Sequence, residues 1–242
     1  MIAWRQQTET LVSMIADLLA GCRHVAVGAQ SPIPGTAALL ARRESAGALR
    51  VSVLDTERHS TFTNGACELF DCAAEGRIDA FFLSGGQIDG QANLNLVGAG
   101  SYPAVDVRWP GSFGSAFLYF LVPRVILFRE EHSRRVFVEK VDFVSAPGTS
   151  EPGVYRPGGP HALVTPLGLF NFNRERARFR LASVHPGHTV EEIVAQTGFD
   201  FDRDPPPIET PAPTEARLAL MREIVREEVA GIYPRFAARF LG

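Results

Sequence analysis

An α/β domain, a mostly parallel sheet flanked by helices, is the fold class that these residues predict, and three observations carry it. HVAVG (24–28), Leu49–Leu54, DAFFL (79–83) and RVILF (124–128) are short apolar runs of strand length. The segments between them place apolar side chains at helical spacing. Helices alternating with short apolar strands imply a sheet covered on both faces. With 242 residues, 45% of them hydrophobic, the chain can bury a full core.

Residues 5–20 carry Leu11, Val12, Ile15, Leu18 and Leu19 on one helical face, and Gly21 is placed to stop that helix. After the strand at 24–28, Ser31–Gly35 reads as a Pro/Gly turn, followed by a helix over 36–46 and the strand Leu49–Leu54. A helix at 66–74, the strand at 79–83, a glycine-containing loop and the strand at 124–128 continue the rhythm. Further on, 162–172 and 177–186 alternate apolar and polar residues around the charged turn 173–176, which predicts a hairpin. Thr189 with Glu192 is a capping-box pair for a helix over 190–197. The proline-rich tract 204–213 reads as a linker, and 214–230 as an amphipathic helix with Leu218, Met221, Ile224, Val225 and Val229 on one stripe. The organisation expected is thus a main domain over 1–203, the linker, and a C-terminal helical segment over 214–242.

A formal net charge of −3 gives no basic surplus for nucleic acid or an acidic membrane. The first residues lack a charged segment followed by a continuous apolar run, and no stretch approaches the roughly 18 apolar residues of a membrane span, so secretion and membrane insertion are not expected. Cys22, Cys67 and Cys72 are odd in number and form no C-x-x-C pair, which points to a reducing cytoplasm. Neither GxxxxGK[ST] nor a strand-helix GxGxxG is present, so no nucleotide or nicotinamide cofactor is expected.

Three segments can carry chemistry. In VSVLDTERH (51–59) a strand ends and ionisable residues begin at once; ligands of open α/β sheets collect at such carboxyl ends, so Glu57 is either a reactive carboxylate or a solvated loop acid. In LSGGQIDGQANLN (83–95), Gly85 and Gly86 permit close approach to the backbone, and Gln87 and Asn93 can orient carbonyl or phosphate oxygens; a tight Asn/Asp/Gly turn is the alternative. In WPGSFGSA (109–116), amides around Gly111 and Gly114 can form an oxyanion site ahead of a helix, or simply a turn. HPGH (185–188) has two histidines around a Pro-Gly turn with no third ligand nearby in sequence, and no metal site is expected. The arginines at 134–135 and 174–180 fit a solvated surface or the hairpin turn, with a phosphate contact as the alternative.

Taken in order, these segments resemble the β subunits of family I CoA-transferases, particularly the glutaconate CoA-transferase type and its steroid-ring-degrading hydrolase relatives. The resemblance runs from about Leu18 to Asp202: VAVGAQSPIP is similar to the first strand and its loop, GGQIDGQANLN to the family's GGxQVDxxGNxN loop, and RRVFVEKVDFVSAPG to its fv-kvdf-tspG segment. LVTPLGLFNF and SVHPGHTVEEIVAQTGF resemble the closing blocks. This resemblance implies a sheet of the kind shared with sugar-phosphate isomerases, an α-type partner subunit in an α2β2 assembly, an acyl-CoA substrate, and no cofactor beyond coenzyme A as substrate. It puts Glu57 on the family's nucleophilic glutamate and matches Gly111 and Gly114 to a G-x-G-G turn.

Three departures accompany it: Arg58 and His59 follow the glutamate in place of small or amide residues, Ala92 stands where the family has glycine, and the G-x-G-G turn becomes Gly111-Ser112-Phe113-Gly114. In the hydrolase branch the working glutamate lies on the α subunit and activates water, which leaves this chain as a pocket-shaping or non-catalytic partner in that alternative. The same general fold serves as a ligand-sensing module in some transcription regulators, but no DNA-reading domain precedes these blocks in the sequence. The apolar stripe on the C-terminal helix is expected to help bind the α-type partner.

Overall fold

The computed structural model describes residues 2–242. The chain divides into two compact units, one formed by the chain up to Phe82 together with Pro211–Gly242, the other by Leu83–Thr210.

The first unit opens with α1 (Ile2–Leu18), after which Gly21 takes the left-handed backbone conformation. Next come β1 (His24–Val27), α2 (Pro32–Glu44), β2 (Arg50–Val53), α3 (Gly65–Ala74) and β3 (Ala80–Leu83). The three strands are parallel in the order β3-β1-β2, Val25 facing Val51 on one side and Ala80 on the other. Their side chains are almost wholly buried, as continuous apolar strands require.

α2 begins at Pro32, so the turn expected over Ser31–Gly35 is its first turn. Proline at the first helical positions has no N–H that the helix would use and a φ already set for it, which is why Pro32 and Pro34 start the helix rather than break it. Gly35, in that first turn, lets Tyr233 lie against the backbone: a Cβ there would stand 2.9 Å from the tyrosine ring.

The second unit begins with two short antiparallel pairs, β4 (Gln87–Ile88) with β5 (Leu94–Asn95) and β6 (Gly98–Ala99) with β7 (Val107–Arg108), followed by α4 (Ser115–Leu121) and β8 (Arg124–Phe128). β9 (Pro160–Val164) pairs parallel to β8, then β10 (Gly168–Asn173) and β11 (Arg178–Val184) add antiparallel strands. The hairpin over 173–177 is as read from the sequence, but 162–172 is two strands, not one. Pro166 cannot donate to a ladder, and Thr165 closes the reversal by accepting the Leu167 and Gly168 N–H groups on its hydroxyl.

α5 (Val190–Gln196) is capped by Thr189, whose hydroxyl accepts the Glu192 N–H at 3.1 Å. Within the proline-rich tract, β12 (Ile208–Glu209) pairs parallel to β11, so part of it is edge strand.

The chain then returns to the first unit with α6 (Glu215–Ile224), capped by the Thr214 hydroxyl and packed on α1 and α2. A π-helical turn (Val225–Val229), α7 (Ala230–Ile232) and α8 (Pro234–Leu241) complete it. Met221, Ile224, Val225 and Val229 are fully buried in this unit. The stripe expected to meet a partner is therefore spent on the chain's own core. No helix among the described residues is long and apolar enough to cross a membrane.

Candidate functional site

Glu57 stands on the turn that leaves β2. Leu54 N–H still bonds to the Val27 carbonyl at 2.9 Å, after which Asp55 adopts a left-handed φ of +59° and the chain reverses. Asp and Asn tolerate this region better than most residues, so Asp55 suits the reversal. The turn is closed from within: Thr56 Oγ1 donates to the Val53 carbonyl at 2.8 Å, Ser60 N–H to the Thr56 carbonyl at 3.2 Å, and Val53 N–H to the His59 carbonyl at 3.0 Å. Glu57 itself is exposed, and its carboxylate forms no hydrogen bond or ion pair with the described residues. The turn thus fixes a backbone and presents an uncommitted carboxylate.

The loop 83–95 behaves differently. Gln87 is buried; its Nε2 donates to Asp142 Oδ2 at 2.9 Å, and its Oε1 accepts Asn95 Nδ2 at 2.8 Å and the Asp142 N–H at 3.0 Å. Asn93 donates to Asp89 Oδ2 at 3.1 Å and accepts the Gly148 N–H at 3.1 Å, while Asp89 Oδ1 accepts the Gln91 and Asn93 N–H groups. Gly86 N–H bonds to the Asn95 carbonyl, and a Cβ on Gly86 would lie 2.4 Å from the Trp109 ring. At Gly85 a Cβ would lie 2.7 Å from the Gln87 carbonyl oxygen. Of the positions read as ligand-binding, Gly85, Gly86, Gln87 and Asn93 thus each have an internal reason in the fold. Ala92, at the family's glycine position, has a φ of +60°, which explains why glycine suits that place.

Because Gln87 and its partners are buried, Gln87→Ala should leave Asn95 and Asp142 groups unpaired. A loss of about 2 kcal/mol of stability is expected, read as a lower urea midpoint. An unchanged midpoint would show that the knot does not hold the loop.

At 109–116, Gly111 has a φ of +103° with open space where a side chain would project, but its N–H bonds to the Leu96 carbonyl at 3.1 Å. Phe113 occupies the family's glycine place with a φ of +39° and is 85% exposed. Gly114 is the N-cap residue of α4. The oxyanion reading of this turn therefore loses the Gly111 amide as a donor.

His185 and His188 do not face one another's partners. His185 is buried with Nδ1 on Thr210 Oγ1 at 2.8 Å and Nε2 on the Thr165 carbonyl at 3.0 Å, whereas His188 Nδ1 meets Glu192 at 3.0 Å. His132 is buried as well, between Thr165 Oγ1 at 2.8 Å and Thr197 Oγ1 at 2.9 Å. Burial pushes both His132 and His185 down to about 4. No group of three metal-binding side chains comes together among the described residues. The arginines read as surface or hairpin are largely engaged: Arg134 with the Ala195 carbonyl, Arg135 with Glu131, Arg174 with loop carbonyls, and Arg176 and Arg178 with Asp202.

Sequence reading missed the surroundings of Glu57. His59 and Glu228 are both buried, and Glu228 pairs with Arg42 and Arg43. One signal was available: Glu228 falls seven residues after Met221 and four after Ile224, on the buried stripe of the C-terminal helix.

Residues 8–196 match the family described as Coenzyme A transferase. The chain is 34% identical over 155 residues to a subunit of the 3-oxoadipate CoA-transferase of Pseudomonas knackmussii, covering 62% of this chain and 59% of that one. It is 33% identical over 149 residues to a subunit of the glutaconate CoA-transferase of Acidaminococcus fermentans, covering 59% of this chain and 55% of that one. The crystal structure of that organism's glutaconate coenzyme A-transferase aligns with a TM-score of 0.77 at 25% identity, over 92% of this chain and 94% of the matched chain. A third relative, the cholesterol ring-cleaving hydrolase IpdB subunit of Rhodococcus jostii, is 30% identical over 162 residues, 65% of this chain and 63% of that one. The matched segments span 55% to 63% of the length of these three sequence relatives.

Proposed function

This chain belongs to the coenzyme A transferase family, and from that premise we propose that it is the β-type subunit of a heteromeric CoA-transferase whose nucleophile is Glu57. The observation that carries the proposal is the uncommitted, exposed Glu57 carboxylate on a turn locked by its own backbone hydrogen bonds. The names of the two transferase relatives support it.

In the reaction proposed, the Glu57 carboxylate attacks the thioester carbonyl of an acyl-CoA. The C–S bond breaks, giving an acyl-glutamyl anhydride and CoA thiolate. The thiolate then attacks the glutamyl carbonyl, releasing the first acid as its carboxylate and leaving a glutamyl-CoA thioester. An acceptor carboxylate repeats the sequence in reverse, so the thioester bond is conserved and Glu57 is regenerated. Each tetrahedral intermediate bears an oxyanion that needs N–H donors. Gly111 and Gly114, on the turn 109–116, are proposed to contact the acyl-CoA. Gly85 and Gly86, with the knot of Gln87 and Asn93, shape the loop 83–95.

Coenzyme A enters as a substrate, with no permanently bound cofactor. The partner proposed is an α-type subunit in an α2β2 assembly in the cytoplasm, with neither nucleic acid nor membrane involved. A hydrolase reading is favoured by one observation, the similarity to the ring-cleaving hydrolase subunit. There, water attacks under control of the partner, and this chain carries no adduct.

Trapping separates the two. Incubating the assembled enzyme with acyl-CoA, reducing with borohydride and mapping peptides should show conversion of Glu57 to the corresponding alcohol on this chain. Acyl-CoA turnover with no modification of Glu57 would overturn the transferase reading.

A further inference from the structure

The turn that carries Glu57 is tied at its far end to the C-terminal part of its own unit. His59 is 5% exposed, and its Nε2 has no hydrogen-bond partner, yet it points towards Glu228 with Oε2 at 3.9 Å. An imidazole nitrogen buried without a partner gives up its hydration with nothing in return. Glu228 is also 5% exposed and is already paired with Arg42 and with Arg43, the latter at 3.2 Å, so His59 is not needed to neutralise it. Glu228 lies on the π-helical turn, where the Ala230 N–H reaches back to the Val225 carbonyl. Such turns within α-helices occur frequently at functional sites. Next to it, Arg58 Nη1 donates to the Glu227 carbonyl at 3.4 Å, so both residues that follow Glu57 engage this one turn.

Burial keeps the His59 imidazole below its usual range, with Glu228 pulling the other way. A neutral ring has one N–H to give. Hydrogen bonds that serve catalysis are often long before substrate binds and shorten afterwards.

We propose that His59 and Glu228 are positioning residues: the His59 Nε2–H, directed at the Glu228 carboxylate held by Arg42 and Arg43, pins the turn 55–60 against the π-helical segment and so fixes where the Glu57 carboxylate stands. The proposal rests on the reading of Glu57 as the nucleophile. It also accounts for two departures from the family pattern, since Arg58 and His59 are the residues that make the tie.

Two readouts on the assembled enzyme test it: tryptic cleavage after Arg58 reports the freedom of the turn, and the rate of Glu57 adduct formation reports the carboxylate's position. Glu228→Gln and His59→Phe should each raise cleavage and slow adduct formation by about tenfold to a hundredfold, the scale of a misplacement of roughly 1 Å. His59→Phe keeps the ring and leaves the arginine pairs with Glu228 intact, so it remains informative if Glu228→Gln folds poorly. His59→Gln, whose amide nitrogen can stand near the place of Nε2, should restore most of the native rate, which a purely packing role would not allow. Unchanged cleavage in both variants overturns the tie. Increased cleavage with an unchanged adduct rate overturns the positioning role. If cleavage rises while the native enzyme turns over without any adduct, the tie stands and the nucleophile reading falls.

Discussion

Glu57→Ala in the assembled enzyme is expected to lower CoA transfer by about three orders of magnitude or more, the scale seen when a nucleophile is removed, with no change in thermal unfolding. The pairing of a large kinetic effect with an unchanged stability follows from the geometry. The side chain is exposed and makes no polar contact among the described residues, and surface substitutions of that kind lie within about 0.5 kcal/mol. Gln87→Ala should behave in the opposite way, since its side chain is committed inside the fold. Glu57→Asp should also fail: one methylene fewer withdraws the carboxylate from the carbonyl, and about 1 Å of misplacement costs on the order of a hundredfold. Release of CoA at the full rate, without acceptor acid, from the Glu57→Ala enzyme would sink the transferase reading and favour attack by water.

Stability is expected to fall as pH is lowered from 7 to 5, and His132 and His185 give the largest share. Both are held neutral by burial at about 4, against 6.5 for the free side chain. Between those values the unfolded chain binds more protons than the folded one, so acid favours unfolding. The contribution is fully present above about pH 6.5, declines through the interval, and levels off below about pH 4. At 1.36 kcal/mol per pH unit, each histidine should contribute roughly 2 kcal/mol of loss by pH 5. The other histidines with lowered values, buried His24 and His59 and half-buried His161, act with the same sign. Urea unfolding at pH 7, 6 and 5 measures the slope, and His132→Gln should flatten it. Equal stability at pH 7 and pH 5 would show that these rings do not stay neutral in the folded chain.

How much of this was legible in the sequence depended on how local each cause is. The strands at 24–28, 79–83 and 124–128 and the Thr189 helix start rest on side chains within a few residues of one another; an apolar run must be buried, and a hydroxyl three residues before an N–H can cap it. The ordered blocks were likewise enough to indicate the family. Local cues misled where one residue type serves two purposes: Pro32 and Pro34 begin α2 instead of making a loop, and Pro166 divides one expected strand into two.

The partners of Gln87, Asn93 and Glu228 were beyond the reach of sequence, because Asp142, Gly148, Arg42 and Arg43 lie tens to nearly two hundred positions away along the chain. An amide in a Gly/Asn/Asp loop has the same composition whether it faces a ligand or a buried carboxylate, and only the folded chain decides which. The sequence by itself determined the α/β class, the order of its elements and a glutamate at the end of a strand. Tertiary structure alone decided that this glutamate is left uncommitted, that Gln87 and Asn93 are not, and that Arg58 reaches the Glu227 carbonyl of the π-helical segment. Hydrogen bonds are satisfied by whatever group the fold brings within about 3 Å, and that proximity is a property of packing rather than of position along the chain.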